Sequence, residues 1–296
     1  PNVLLEMISD YAEENELLDW IDPEKINWMS LSRNPVAIHL LEKNQDNIDW
    51  YNLSDNPAAI HLIEDQLEKN KHRINWYYLS GNPSAIHLLE QNQDKINWDW
   101  LSANPAAIHL LEKNPDKINW SELSDNPSAI HLLEKNQEKI DWYNLSDNPA
   151  AIHLLENEVH RTAREKNQEK IDWSWLSLNP AAIHLLEKNP EKIRWWCLSG
   201  NPAAIHLLEK NPDKINWKWL SKNPAAIHLL EKNPEKIDWK WLSLNPAAIH
   251  LLESEAHHAK REKIQEKIHW NYLFEHPSIF RYTKNDIYKS LYEIQN

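Results

Sequence analysis

The stretch NPAAIHLLEKNPDKINWSELSD, residues Asn104 to Asp125, decides the fold, because the chain repeats it. Near copies open at the Asn-Pro pairs of Asn34, Asn56, Asn82, Asn104, Asn126, Asn148, Asn179, Asn201, Asn223 and Asn245, ten in all. A fixed 22-residue period is the signature of a solenoid. One such unit cannot bury its own apolar face and must stack on its neighbours.

Within this copy, Asn104 suits an N-cap and Pro105 the first helical position, where its missing N–H costs nothing. Ala106 to Lys113 then reads as a helix with Ala107, Ile108, Leu110 and Leu111 on one face and His109 pointing away from it. Pro115 ends it by disfavouring helical geometry at Asn114. A second element starts at Ile118-Asn119-Trp120. Asn119 caps it, and Ile118 and Leu123 have the spacing of a hydrophobic staple. Few residues remain before the next cap, so it is a single turn, α or 3₁₀. The expected architecture is all-α: ten units of one medium and one short helix, stacked into a rod or superhelix on the order of 100 Å long.

Composition agrees. There are 2 Gly and 17 Trp, with much Ala, Leu, Glu and Lys. The single cysteine, Cys197, excludes an internal disulfide framework and suits a reducing compartment. A net charge of −13 speaks against a general nucleic-acid or anionic-membrane surface. No apolar run has the length of a membrane span, and no signal peptide is visible. The ends depart from the pattern. Residues 1–33 keep only the second half of a unit, Ile26 to Ser32, and read as an N-terminal cap; the repeats span 34–275. Residues 276–296, opening with His276-Pro277 in place of Asn-Pro, read as a C-terminal cap.

The string Leu-Ser-x-Asn-Pro-Ala-Ala-Ile-x-Leu-Leu-Glu-x-Asn-Pro with a following Ile-x-Trp resembles the leucine-rich variant repeat in layout, over roughly half of each unit. That family alternates α and 3₁₀ helices in a superhelix; the Trp and the His depart from it. The fuller pattern, covering Asn27 to Leu273, is similar to repeat proteins encoded by giant DNA viruses of amoebae. This resemblance implies a viral origin and brings no established activity. Neither family supplies a catalytic residue.

Three features bear on function; two vary between units and one is constant. The first is the pair of positions after each framework Trp and the one before each Asn-Pro. Polar residues occupy the second of the pair at Asn52, Glu122 and Asn144, whereas Trp100, Trp175, Trp219 and Trp241, with Tyr78 and Tyr272, occupy it elsewhere. Together with Leu178, Trp196 and Leu244 these form a candidate partner-binding stripe. The alternative is that each Trp packs on the long helix of the next unit.

The second is insertion. Asp65 to Glu68, Asn157 to Glu165 and Ser254 to Glu262 lengthen units two, six and ten at the same place. With about four units per superhelical turn the extensions would project on one side. Arg161, Arg164, Lys260 and Arg261 make them basic and candidates for assembly contacts.

The third is a ladder of His39, His61, His87, His109, His131, His153, His184, His206, His228 and His250. These lack the close partners of a metal site. They read as lateral hydrogen-bonding struts or as pH-responsive groups, since a row of adjacent imidazolium ions near pH 6.5 would repel itself.

No nucleophile–base pair, phosphate loop or carboxylate set stands out. Cys197 sits at a variable position that Trp or Glu fills elsewhere. The expectation is a non-enzymatic protein without cofactor or metal, acting through protein contacts. The leading expectation is a self-assembling structural scaffold of a viral particle or assembly, in the virion or host cytoplasm; the alternative is an intracellular adaptor that holds a viral or host protein on its Trp-lined surface.

Overall fold

The computed structural model describes residues 17–67, 73–165, 170–262 and 267–280, with the side chains of 160–165 and 262 outside that description. It is all-α, as the repeat requires, and each unit without an insertion is built from four elements rather than two. In the fourth unit a 3₁₀ turn, Pro105–Ala107, leads into an α-helix, Ile108–Lys113. A second 3₁₀ turn, Pro115–Lys117, follows, and then a short α-helix, Trp120–Asp125. These are called the Ile helix and the Trp helix below.

The expected single helix over Ala106 to Lys113 is therefore broken. Pro105 at the first position starts a tight turn, and Ala107 (φ −95°, ψ 5°) leaves helical geometry before Ile108 resumes it. The Trp helix is α and the 3₁₀ segments lie elsewhere. Asn104 accepts at Oδ1 from the Ala106 N–H, and Asn119 likewise accepts from those of Ser121 and Glu122, as their cap positions demand. Asn114 works from the other end. Its Nδ2 donates back to the Leu110 carbonyl at 2.9 Å and closes the Ile helix, so it caps no following turn.

Ala107, Leu111 and Leu123 are fully buried, and the same positions in the other units extend one continuous core. Two buried polar ladders tie the units together. Ser124 Oγ donates to the Trp120 carbonyl at 2.7 Å and accepts the Asp141 N–H of the next unit at 3.0 Å. Asn126 Nδ2 donates to the carbonyls of Asn104, which opens the preceding unit, and of Ser102 just before it. One Asn side chain thus caps its own turn and satisfies buried carbonyls of its neighbour, which explains why so polar a residue sits at 1% exposure.

The stack does not run out as an open superhelix. It closes on itself. Each Pro-x-Ala turn packs on the next from Pro35–Ala37 to Pro246–Ala248, then on Pro277–Ile279, and Pro277–Ile279 packs back on Pro35–Ala37. Asn34 Nδ2 donates to the carbonyls of Phe274 (3.1 Å) and His276 (2.9 Å), as Asn56 does to those of Ser32 and Asn34. The Leu18 N–H donates to the Ile279 carbonyl, and Leu17 bridges Phe280.

The end segments expected to cap two free ends therefore meet each other. They share an eleventh unit: His276 to Phe280 supplies its opening, and Asp22 to Arg33 its second half. Residues 1–16 and 281–296 lie outside the described residues. With neighbours about 9 Å apart, eleven Trp helices close on a circle about 30 Å across, so the expected 100 Å of stack becomes a circumference.

Successive Trp helices touch one another directly, whereas successive Ile helices are less closely packed. In a ring the closer-packed elements lie at the smaller radius. The Trp helices and Pro-x-Ala turns therefore form the inner wall and the Ile helices the rim. The extended helices Ile152–Glu165 and Ile249–Glu262, and the shorter Ile60–Leu67, stand on that rim. Their units are four, four and three places apart around eleven, so the extensions are distributed around the ring instead of lining up on one side.

Candidate functional site: the inner wall

On a Trp helix the fourth and fifth residues, Leu and Ser, point into the core. At 100° per residue the third and sixth point directly away from it. These are two of the variable positions, and on the inner wall they face the axis. Concave curvature crowds them together, so most are half-buried although they turn their backs on the core.

Trp100, Trp175, Trp219 and Trp241, all at the third position, accordingly pack on their neighbours along the wall. A Cβ at Gly81 would lie 2.8 Å from Trp100 Cε3, and one at Gly200 would lie 3.0 Å from Trp219 Cε3. The chain's two glycines are there because an indole of the next unit lies across them. The expected packing partner, the long helix of the next unit, is thus corrected to the inner wall of the preceding one. Leu178 and Leu244, at sixth positions, are half-buried beside these rings. Trp196, at a second position, is 47% exposed.

The stripe is therefore both things at once: partly neighbour packing, partly accessible aromatic surface. Its aromatics cluster in arcs. Tyr51, Tyr78 and Trp100 make edge-to-face contacts across units one to three. Tyr143 meets Trp175. Trp196 lies edge-on to Trp219 at 5.3 Å, and Trp219 stacks on Trp241 at 5.7 Å and 29°.

Charge is segregated on the same wall. Lys222 lies 3.9 Å from the centroid of the Trp219 ring and 5.1 Å from that of Trp241. Lys218 lies over Trp241 and Lys240 over Tyr272. Burial pushes the Lys222 ammonium below its usual pKa. Three to five units back around the ring the wall is acidic, with Asp99, Glu122, Asp125 and Asp147. Burial raises Asp125 and Asp147, and Asp147 is raised further by Asp125.

The histidine ladder lies on the rim. Nine of its members pair through Nε2 with a Glu of the preceding unit, as His131 does with Glu112 and His228 with Glu209, both at 2.9 Å. His39 instead meets the Phe280 ring edge-on at the seam. The cations of a protonated ladder would alternate with carboxylates and so would not stand as a repelling row. Among the described residues no group of three or more His, Cys, Asp or Glu is placed to hold a metal ion, and no helix is long and apolar enough to cross a membrane.

Of the assembly candidates, Lys260 is exposed, and Arg261 contacts His258 at 3.3 Å. The side chains of Arg161 and Arg164 lie outside the described residues. The two basic extensions stand four units apart, so they form no single cluster. Cys197 is buried, and burial pushes its thiol up to about 12, far from a thiolate nucleophile.

Sequence reading missed a third ladder. In seven units the Lys before Ile-x-Trp lies over the framework Trp of the preceding unit, closest for Lys139 over Trp120, Lys214 over Trp195 and Lys236 over Trp217, at 4.5–4.6 Å. The signal was present in the Lys that immediately precedes most copies of Ile-x-Trp. No family model matches the chain, and neither the curated proteins nor the solved structures compared with it give a match.

Proposed function

We propose that this protein is a non-enzymatic binding ring that holds a protein partner on its inner wall. A helical-repeat architecture is compatible with either a scaffold or an adaptor. One observation favours the adaptor: the repeat framework is satisfied around the whole circle, and the residues that differ between units gather on the concave face. A closed ring offers no free end on which another copy can stack, so it does not elongate as an open solenoid does. Half-buried, pre-positioned indoles lose little rotamer freedom on binding, which makes them efficient anchors.

Solution mass and capture test this reading. The ring is expected to be monomeric by light scattering at pH 7.5. Replacing Trp196, Trp219 and Trp241 by Ala should abolish capture of its partner and leave the monomer folded. The second reading is a structural component of a viral particle or assembly, in the virion or host cytoplasm, joined through the rim extensions. It draws support from the exposed Lys260 on a 14-residue helix that stands out from the repeat. Large assemblies that persist in the Trp variant and disappear on deletion of residues 157–165 would replace the first reading with the second.

A further inference from the structure

We infer that the arc of the inner wall formed by the Trp helices Trp195–Leu198, Trp217–Ser221 and Trp239–Leu242 is a docking surface for an acidic peptide segment carrying apolar side chains. The inference deepens the binding-ring reading and rests on it.

Three neighbouring units depart together from the rest of the wall. At the second position Trp196, Lys218 and Lys240 are exposed. At the third and sixth positions Trp219, Trp241 and Lys222 pack into one body, the ammonium lying against both indoles. At the N-cap of the first helix, where Asn or Asp serves in most units, stands Arg194, exposed and making no side-chain cap bond. A capping side chain has been given up there for a cation, which helix geometry does not ask for.

Charge names the occupant. The chain carries −13 overall, yet this arc concentrates cations on aromatic faces, while the wall three to five units from the arc's centre carries Asp99, Glu122, Asp125 and Asp147. A short acidic segment is attracted by the first arc and turned away from the second, which fixes its position in the ring. Its apolar side chains find the indole edges that the lysines leave uncovered.

A polyanionic nucleic acid fits less well. It meets the repulsion of the whole acidic molecule, and Trp219 and Trp241 are already stacked on each other with Lys222 against both, so no base can enter between them.

The test uses the full chain and a fluorescein-labelled peptide of alternating Asp/Glu and Leu/Phe. Its isomer with Lys for every acid, and poly(U) RNA, are the comparison ligands. Saturable binding of the acidic peptide, absent for the Lys isomer and weaker for RNA, is expected. Lys218→Glu/Lys240→Glu should weaken it about tenfold or more and flatten its salt dependence. Both side chains are exposed, so the variant should melt as the parent does. Glu122→Gln on the acidic arc should leave binding unchanged or slightly tighter. Binding unaffected by the double charge reversal, equal binding of the Lys isomer, preference for RNA, or a dimer dissolved by the charge reversal would each overturn the inference. If the peptide fails but Trp219→Ala still abolishes capture of a partner, the binding ring stands and the acidic occupant falls. If both fail, the reading beneath falls too.

Discussion

Asn34 donates through Nδ2 to the main-chain carbonyl of His276 at 2.9 Å, across 242 residues of sequence, and so makes the same joint between the chain ends that Asn126 makes to Asn104 within the stack. The other repeat joints have chain continuity behind them. This one is held by side chains, packing and the main-chain contacts of Leu17 and Leu18 with Phe280 and Ile279. It is also built from substitutes: Phe274 stands where Ser would give its hydroxyl, and His276 stands where Asn would donate to Ser243.

Removing the joint should release the ends. Asn34→Ala loses a cap to the Val36 N–H and leaves two buried carbonyls without their donor. A cost of about 2–4 kcal/mol is expected from those losses. Asn126→Ala loses the same set of bonds and should cost a similar amount. The two differ in where they loosen the protein. Amide hydrogen exchange should rise at 17–33 and 277–280 for Asn34→Ala only. Equal exchange in both variants would mean that the ends are not held by this bond.

Acid should open the seam first. His276 donates from Nε2 to the Ser243 carbonyl, and its Nδ1 is buried with no hydrogen-bond partner. Burial lowers its pKa below 6.5, against a smaller opposing effect of the Ser243 bond. A histidine lowered on folding stabilises the ring above the unfolded value of 6.5, and that contribution is lost as pH falls through the folded value. His276→Asn restores the repeat's own donor and removes the titration. Denaturation midpoints of parent and variant should diverge as pH falls below 6.5. Parallel curves would show that His276 does not govern the acid response.

The rim ladder should matter far less. Each His–Glu pair is about half-exposed, and pairs of that kind contribute roughly 0–1 kcal/mol. His131→Gln should shift the denaturation midpoint by less than Asn126→Ala does. A comparable loss would mean that the struts, and not the buried Asn ladder, hold neighbouring units together.

The wall should resist bulk at its glycines. Gly81→Val puts a branched side chain against the Trp100 indole, where even a Cβ comes within 2.8 Å. Overpacking of this kind costs about 1–3 kcal/mol. Adding Trp100→Ala should relieve part of that cost, a non-additivity readable by thermal melting. Full additivity would separate the glycine from the indole.

Much of this molecule was legible from residue spacing. The Asn-Pro period located ten of the eleven units, and the Ala, Leu and Leu of Asn104 to Asp125 are the core. Local chemistry hid two points. Ala106 to Lys113 has the composition of one helix, but Pro105 tightens the first turn into 3₁₀ and Ala107 takes up the mismatch. Asn114 looks like an N-cap and acts as a C-terminal lock.

Closure was harder, because it depends on a small rotation per unit summed over eleven units, which no single unit states. Its trace was nevertheless in the ends. Asp22-Pro23-Glu24-Lys25-Ile26-Asn27-Trp28 matches Asn233-Pro234-Glu235-Lys236-Ile237-Asp238-Trp239, so the chain starts with the second half of a unit and carries the opening of another at His276-Pro277. The inner wall was half legible. The variable positions were visible, but the packing of Trp100 on Gly81 needs the curvature that brings two units together.

The direct test of the central claim is the distance between the two ends of the stack. Spin labels placed on cysteines at Glu24 and Ser278, in a Cys197→Ser background, report it by pulsed electron resonance. A closed ring predicts one short, narrow distance, since both labels sit in the shared eleventh unit. An open superhelix predicts a long and broad distribution, reaching toward the roughly 100 Å of an extended stack, and that result would contradict the ring.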